Sequence, residues 1–565
     1  MVSGVAYTSE ALASRPPRVA WVIAATAAGT IFEWYDFYLC TILAPAFAKI
    51  FFPPENEIAS FLSAFTAYAI GFIVRPFGAL IFGRLGDQIG RKYTFLITIV
   101  FMGFSTFTIG LLPSFNQAGW LAPALLVFLR IVQGLAIGGE YGGAAVYVAE
   151  YVTARRRGLA TGFIQATPTT AFLLAVAVIN VTRSHTTEAD FLIWGWRIPF
   201  LVSLLLLMLS MYLRAILRET PVFLRLKAER RIAKSPLKQT LYRYPNNRNL
   251  LLALLGIGIG QGVVSYAAQF YVLFFLTITL QLDLQTASIF VLANSLLALV
   301  LIPSLGWLSD RIGRLRIMLA GLLVAVLITQ PAFHLLSKAV NPDLSAFQAA
   351  NPIVLRAAPQ TCRFHLFAGP WSEITTCDQV RSILASSGLS FSIEYAPEGS
   401  SVLLSVGNQT AAILEAADAA ARVEQALFAA GYPGLTLKYV DGKPQNDARG
   451  NPVFEKAPGN PAKIDYKLAF PLTFAIIISA LLVYAPLAAF LSEYFAAPVR
   501  YTSVSLTYHI ANGWFGGMMP VIAASIVVMT GDIYAGLWYV IAAAAFSFII
   551  GAIFLRDYRK RPVDY

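Results

Sequence analysis

The sequence predicts an all-α membrane protein, with twelve transmembrane helices in two pseudo-symmetric six-helix bundles and a small α+β insertion. Three observations carry this reading. Of 565 residues, 57% are hydrophobic and 13% charged, and the mean hydropathy is +0.65; a soluble domain carries about 25% charged residues. Apolar runs of roughly 20 residues, enough to cross hydrocarbon, occur about twelve times. A polar loop, GRLGDQIGRK at 83–92, returns as GWLSDRIGRL at 306–315, each time after the second run in a set of six.

The runs fall near 19–45, 59–83, 93–113, 121–151, 159–181, 195–217, 249–279, 285–307, 315–337, 468–491, 502–528 and 533–556. Their number is even, so both termini share a side. The first run follows a polar stretch with Arg15 and Arg18 and is too long for a cleaved signal peptide. Basic residues crowd the connections after runs two, four, six and eight, and the tail, while the alternate connections are nearly bare. Both termini are therefore expected in the cytoplasm of a multi-pass protein of the bacterial inner membrane.

The formal net charge of +12 sits in these membrane loops, where topology accounts for it, so no nucleic-acid partner is expected. Four His and three Cys without close ligand spacing give no metal or cofactor site. No nucleophile, base and orienter arrangement is legible, which argues against an enzyme. A monomer in the bilayer is expected, its partners a small-molecule substrate and protons.

The two loop copies are offset by 223 residues, whereas the ends of runs six and twelve, Leu217-Arg218-Glu219 and Leu555-Arg556-Asp557, are offset by 338. About 115 residues are thus inserted in the second repeat. The expected organisation is an N-terminal bundle at 1–217, a cytoplasmic linker at 218–248, the C-terminal bundle at 249–337 and 468–565, and a periplasmic insertion at 338–467. Within the insertion, alternation predicts strands at 363–367, 390–395, 401–406 and 435–440 and helices at 378–388 and 410–431, the βαββαβ order of a ferredoxin-like domain. Cys362 and Cys377 lie here, and an oxidising periplasm makes a disulfide between them plausible, two free thiols being the alternative.

The duplicated loop resembles the signature loop between helices two and three of the major facilitator superfamily (MFS). FEWYDF (32–37), RPFGALIFGRLGDQIGRK (75–92), EYGGAA (140–145), WGWRIPF (194–200), RETPVF (218–223) and YTSVSLTYHIANGWFGG (501–517) together resemble its metabolite:proton symporter family. The resemblance implies the MFS fold, transport by alternating access and a charge relay fastening a cytoplasmic gate. Gly83, Gly86 and Gly90 suit a tight turn and close helix approach. Asp87 can face a helix amino terminus, and Arg91 needs an anion, for which Glu150 is suitable. Arg157, with Tyr147 and Glu150, supports a gate at the inner ends of runs four and five. Asp310 and Arg314 belong to the second loop copy, whose charge network is expected to be weaker because Leu315 replaces Lys92.

Several charges fall inside the apolar runs, where each costs roughly 2.5 to 3.5 kcal/mol at the bilayer centre unless it faces a cavity, pairs or takes a proton. Glu33 and Asp36, at i, i+3 spacing on one helix face, are the candidate proton-coupling pair, or a structural pair holding Arg75 or Arg130. Glu140 is a further proton-site candidate. Arg75 and Arg130 could clamp a carboxylate through paired hydrogen bonds, with Tyr141 on the Arg130 face. Gln261, Tyr266, Asn294 and His509 offer hydrogen bonds from the second half, although such groups often only join helices.

The function expected is proton-coupled import of a small metabolite, first an organic acid. A zwitterion such as proline or betaine is the alternative substrate, and a receptor sensing through the outer domain the alternative of another class.

Overall fold

The computed structural model describes residues 19–52, 70–363, 375–440, 443–447 and 450–558. Among these, ten helices are long and apolar enough to cross a membrane. Spans three to six are Arg91–Gly110, Leu121–Tyr151, Ala154–Ser184 and Arg197–Ile216. Spans seven to nine are Asn246–Thr279, Leu284–Ile312 and Arg314–Val340, and spans ten to twelve are Tyr466–Tyr494, Ala497–Thr530 and Leu537–Phe554. Val19–Ile42 and Arg75–Gln88 supply spans one and two, bringing the spans to twelve. The expected start of span two, near 59, lies outside the described residues.

Helix ends follow local chemistry. Gly90 and Gly313 take φ of 121° and 115°, a backbone open to glycine at little cost, so spans two and eight break sharply before spans three and nine. Asp283 caps span eight, its carboxylate accepting from Thr286 N at 2.9 Å. Pro303, Pro331, Pro471 and Pro486 sit inside helices, a placement membrane bundles tolerate because neighbours satisfy the freed carbonyls. Spans seven and eleven contain π-helical segments at Leu254–Gly258, Ala267–Tyr271, Phe275–Thr279 and Ile510–Gly516, wide turns that often mark functional sites. The two halves meet where span two packs along span eleven and span five along span eight.

The insertion has its own apolar core, including Leu355, Val380, Leu384, Leu404, Val423 and Leu427. Its strands are β1 (Ile353–Ala357), β2 (Ser392–Tyr395), β3 (Val402–Val406) and β4 (Gln409–Ile413), followed by β5 (Leu435–Leu437), β6 (Tyr439–Val440), β7 (Lys443–Pro444) and β8 (Phe454–Lys456). The main sheet is ordered β2-β1-β3-β4, β1 parallel to β2 and antiparallel to β3. Helix Thr376–Ser386 lies between β1 and β2, and helix Ala419–Ala429 follows β4.

This corrects the βαββαβ expectation: β4 is an added strand, and the strand expected at 435–440 stands outside the main sheet, β5 pairing with β8 and β6 with β7. Residues 410–413, read as the start of a helix, belong to β4, which forms a hairpin with β3 through the tight turn at Gly407, where φ is 56°, and the helix begins only at Ala419. The expected first strand at 363–367 lies largely outside the described residues, and the strand that opens the sheet is β1. Cys362 and Cys377 are joined by a disulfide, their Cα atoms 5.2 Å apart.

The insertion is bolted to the second half. Arg381 Nε and Nη2 donate to Val528 O and Met529 O at 3.0 and 2.6 Å, occupying carbonyls that the end of span eleven leaves open. Phe391 N donates to Gly531 O at 2.7 Å, and Gln281 Nε2 to Ser386 O at 2.7 Å.

Candidate functional site

At the bundle end opposite the insertion, the loop between spans two and three locks onto the second half. Asp87 accepts from Tyr501 N, Thr502 N and Thr502 Oγ1 at 3.2, 2.9 and 2.7 Å. Those amides open helix Arg500–His509, so the carboxylate faces a helix amino terminus. Gly83 and Gly86 allow this approach: a Cβ there would stand 2.9 Å from Thr502 Cα and 2.4 Å from the Tyr501 ring. Arg91 donates to Ala497 O at 3.0 Å and lies 3.5 Å from Asp87 and 3.6 Å from Glu150. Glu150 also takes Arg500 at 3.0 Å.

The second copy builds the same device with the halves exchanged. Asp310 accepts from Gly158 N and Leu159 N, both at 2.9 Å, at the start of helix Arg157–Gln165. Arg314 lies 2.7 Å from Asp310 and 3.0 Å from Glu493, and Glu493 takes Arg157 at 2.8 Å. The expectation of a weaker second network is therefore corrected. Lys92, the residue that copy lacks, spends its ammonium on Ala215 O within its own half and takes no part in the seam.

Sequence reading missed Glu493 and Arg500. A signal was present: Glu150-Tyr151 is followed six residues later by Arg157, and Glu493-Tyr494 six residues later by Arg500.

Inside the first half, Glu33 and Glu140 converge on one guanidinium. Arg214 Nη1 is 2.7 Å from Glu33 Oε1, and Nη2 is 3.1 Å from Glu140 Oε1. Its guanidinium carbon lies 3.4 Å from the Phe95 ring centroid, and all three charged side chains are buried. Arg214 was not among the sequence candidates because a cation in the last turn of span six reads as ordinary topology. Glu33 therefore pairs neither with Arg75 nor with Arg130. Asp36 lies against Thr106, with Oδ1 unpartnered.

Arg75 and Arg130 have no acid within salt-bridge distance among the described residues. Arg75 is 1% exposed, with Nε and Nη2 unpartnered. Its Nη1 donates to Tyr266 OH at 3.5 Å, and its guanidinium lies 4.1 and 4.6 Å from the Phe72 and Phe37 ring centroids. Arg130 stands 6.0 Å from the same Phe37 ring and donates to Gln133 Oε1 at 3.0 Å, its Nη2 unpartnered. His509, beside Arg75, is buried with both ring nitrogens unpartnered. Tyr141 stacks on Tyr508 with centroids 3.4 Å apart and its hydroxyl unpartnered. These groups bring donors from both halves to one buried, ring-lined centre.

The other candidates are spent on helix contacts. Gln261 and Asn512 bond each other, Asn512 Nδ2 donating at 2.9 Å. Asn294 Nδ2 donates to Phe290 O and to Thr473 Oγ1 at 2.8 and 3.1 Å, joining spans eight and ten.

The family model of the Major Facilitator Superfamily matches residues 26–347. The proline/betaine transporter of Escherichia coli (strain K12) is 35% identical over 327 residues, 56% of this chain and 65% of the relative, so that match spans just under two thirds of the relative's length. The shikimate transporter of the same strain is 34% identical over 309 residues, 54% of this chain and 70% of the relative. Its alpha-ketoglutarate permease is 31% identical over 415 residues, 72% of this chain and 93% of the permease. The proton:xylose symporter XylE bound to 6-bromo-6-deoxy-D-glucose shares the fold, with a TM-score of 0.57 at 13% identity over 97% of this chain and 98% of that one. With its duplicated bundle, its matching family model and a relative aligned over nearly its whole length, the chain belongs to the Major Facilitator Superfamily.

Proposed function

We propose that this chain is a proton-coupled secondary transporter that imports a small organic acid by alternating access, and is not an enzyme. The observation that carries the reading is Arg75, a buried guanidinium with no carboxylate partner among the described residues and two unused donor nitrogens. A buried cation without a counter-ion is costly, and a substrate carboxylate satisfies it in the bidentate geometry that guanidinium favours. His509, Tyr141 and Tyr266 supply further hydrogen bonds, and Arg130 a second cation.

Glu33 and Glu140 against one Arg214 leave a single excess negative charge, which one proton neutralises. Loading and releasing that proton, with Asp36 as a second acceptor, couples the cycle to the gradient. An anion entering a negatively charged cell opposes roughly 2.3 kcal/mol per 100 mV for each charge, so accumulation needs accompanying protons. The Asp87 and Asp310 interlocks form the closed cytoplasmic gate, and rocking of the halves breaks them.

In this reading the bundles end and begin as the repeat indicates, at 1–217 and at 249–337 with 468–565, joined by the linker 218–248. The insertion, 338–467, faces the periplasm, where its disulfide persists, and both termini face the cytoplasm of the inner membrane. The transporter works as a monomer, since each half supplies part of the site.

One specific observation favours a zwitterionic substrate as the second reading: the rings of Phe37, Phe72, Tyr266, Tyr141 and Tyr508 around the centre suit an organic cation. The test is uptake of labelled citrate, 2-oxoglutarate, shikimate, proline and betaine into proteoliposomes under an inward proton gradient. Accumulation of one acid, abolished by an uncoupler, supports the proposal. Accumulation of proline or betaine alone selects the second reading, and binding without accumulation removes transport.

A further inference from the structure

The linker carries a feature that gating does not use. Residues 218–248 hold nine Lys or Arg against two acids. Within them Lys234, Lys238 and Arg243 are exposed, and Arg243 is flanked by Tyr242 and Tyr244, 78% and 70% exposed. Topology calls for cations here but not for bare aromatic rings. Tyr244 is two residues from Asn246, where the helix of span seven begins, at most about 7 Å of chain, so this face sits at the gate end of span seven. Tyrosine is the residue type that settles at headgroup level, with its ring among acyl carbons and its hydroxyl in water.

The same segment sits across both interlocks' supporting halves. Gln88 Nε2, from the last residue of span two, donates to Lys234 O at 2.9 Å. Thr240 Oγ1 is 3.4 Å from Ser503 Oγ in span eleven. Val222 and Leu226, from helix Pro221–Ala228, pack with Ala497 of the second half. Whatever holds the linker down therefore also bears on the seam between the halves.

We propose that Lys234, Lys238 and Arg243, with Tyr242 and Tyr244, form a docking surface for anionic phospholipid headgroups of the adjacent leaflet. The occupant is argued from charge and place: the patch is cationic, interleaved with exposed rings, and tethered to the gate end of a membrane-spanning helix. A polybasic segment so placed gains about fivefold in lipid affinity for each cation near an anionic surface. The proposal rests on the membrane placement of the bundle and not on the substrate or on proton coupling.

The test is hydrogen–deuterium exchange of the full chain in nanodiscs of phosphatidylcholine alone or mixed with phosphatidylglycerol. Exchange across 229–245 is expected to slow several-fold with phosphatidylglycerol and to return to its phosphatidylcholine rate in high salt. Lys234→Gln, Lys238→Gln and Arg243→Gln combined should lose that protection while peptides of the Asp87 and Asp310 interlocks exchange as in the parent, which separates lost docking from misfolding. Equal exchange in the two lipids would overturn the proposal. So would equal slowing by inorganic phosphate in phosphatidylcholine discs, which would make the patch a site for free anions. Failure of substrate uptake leaves this readout untouched.

Discussion

Glu493 Oε1 accepts from Arg157 Nη1 at 2.8 Å, tying the end of span ten to the start of span five across the seam between the halves. Arg500 and Glu150 make the reciprocal tie at 3.0 Å. Each pair is buried, and removing one partner of such a pair costs about 3 to 5 kcal/mol. Glu493→Gln and Glu150→Gln are each expected to shift the protein toward the state open at this end. Spin labels at the exposed Arg156 and Arg316 should report a longer distance in both variants. An unchanged distance would remove the ties from the gate.

The near equality of the two interlocks also marks what was legible in the sequence. Asp87 and Asp310 stood out because a carboxylate among glycines between apolar runs serves no topological need, and both cap a helix of the opposite half. Glu493 and Arg500 lie outside the ten-residue loop, and the insertion places them 343 residues from Glu150 and Arg157 where the loop copies are offset by 223, which hid the repeat. Arg214 was invisible for another reason: only packing shows that a cation at the end of a span turns inward. In the insertion, the hairpin at 402–413 was lost because the alanines of β4 fit a helix as readily as an edge strand, and pairing with β3 decides between them.

Arg214 holds two buried carboxylates, so its removal should be worse than theirs. Arg214→Ala is expected to destabilise the protein by about 3 to 5 kcal/mol, lowering the melting temperature in detergent. Adding Glu33→Gln and Glu140→Gln to that variant should recover much of the loss. No recovery would mean that Arg214 acts through packing on Phe95 alone.

Glu219 gives a pH signature outside the spans. Burial raises its carboxyl above the ordinary range, against the pull of Thr220 N–H, the Arg91 charge and Lys92 N–H. A carboxyl raised on folding holds its proton more tightly in the folded chain. Its contribution is present below the unfolded carboxylate range and is lost as pH rises through the raised value. Glu219→Gln is expected to flatten the decline of melting temperature on the alkaline side of that range, as read from melts at about pH 4 to about pH 8.

The disulfide closes a separation of 15 residues, worth about 3 kcal/mol by loop entropy. Cys362→Ser is expected to speed hydrogen exchange in helix Thr376–Ser386 and β1 while leaving exchange in spans one to six as in the parent. Uniform loosening would show that the insertion and bundle unfold together.

The central claim is tested most directly by comparing gradient-driven accumulation with one-for-one substrate exchange in proteoliposomes for Glu33→Gln and Glu140→Gln. The account predicts that Glu33→Gln abolishes accumulation under an imposed proton gradient yet retains exchange of labelled for unlabelled substrate, with Glu140→Gln impaired in the same direction. Accumulation at the parent rate in both variants, collapsing with an uncoupler as before, would contradict it and move the coupling proton away from Arg214.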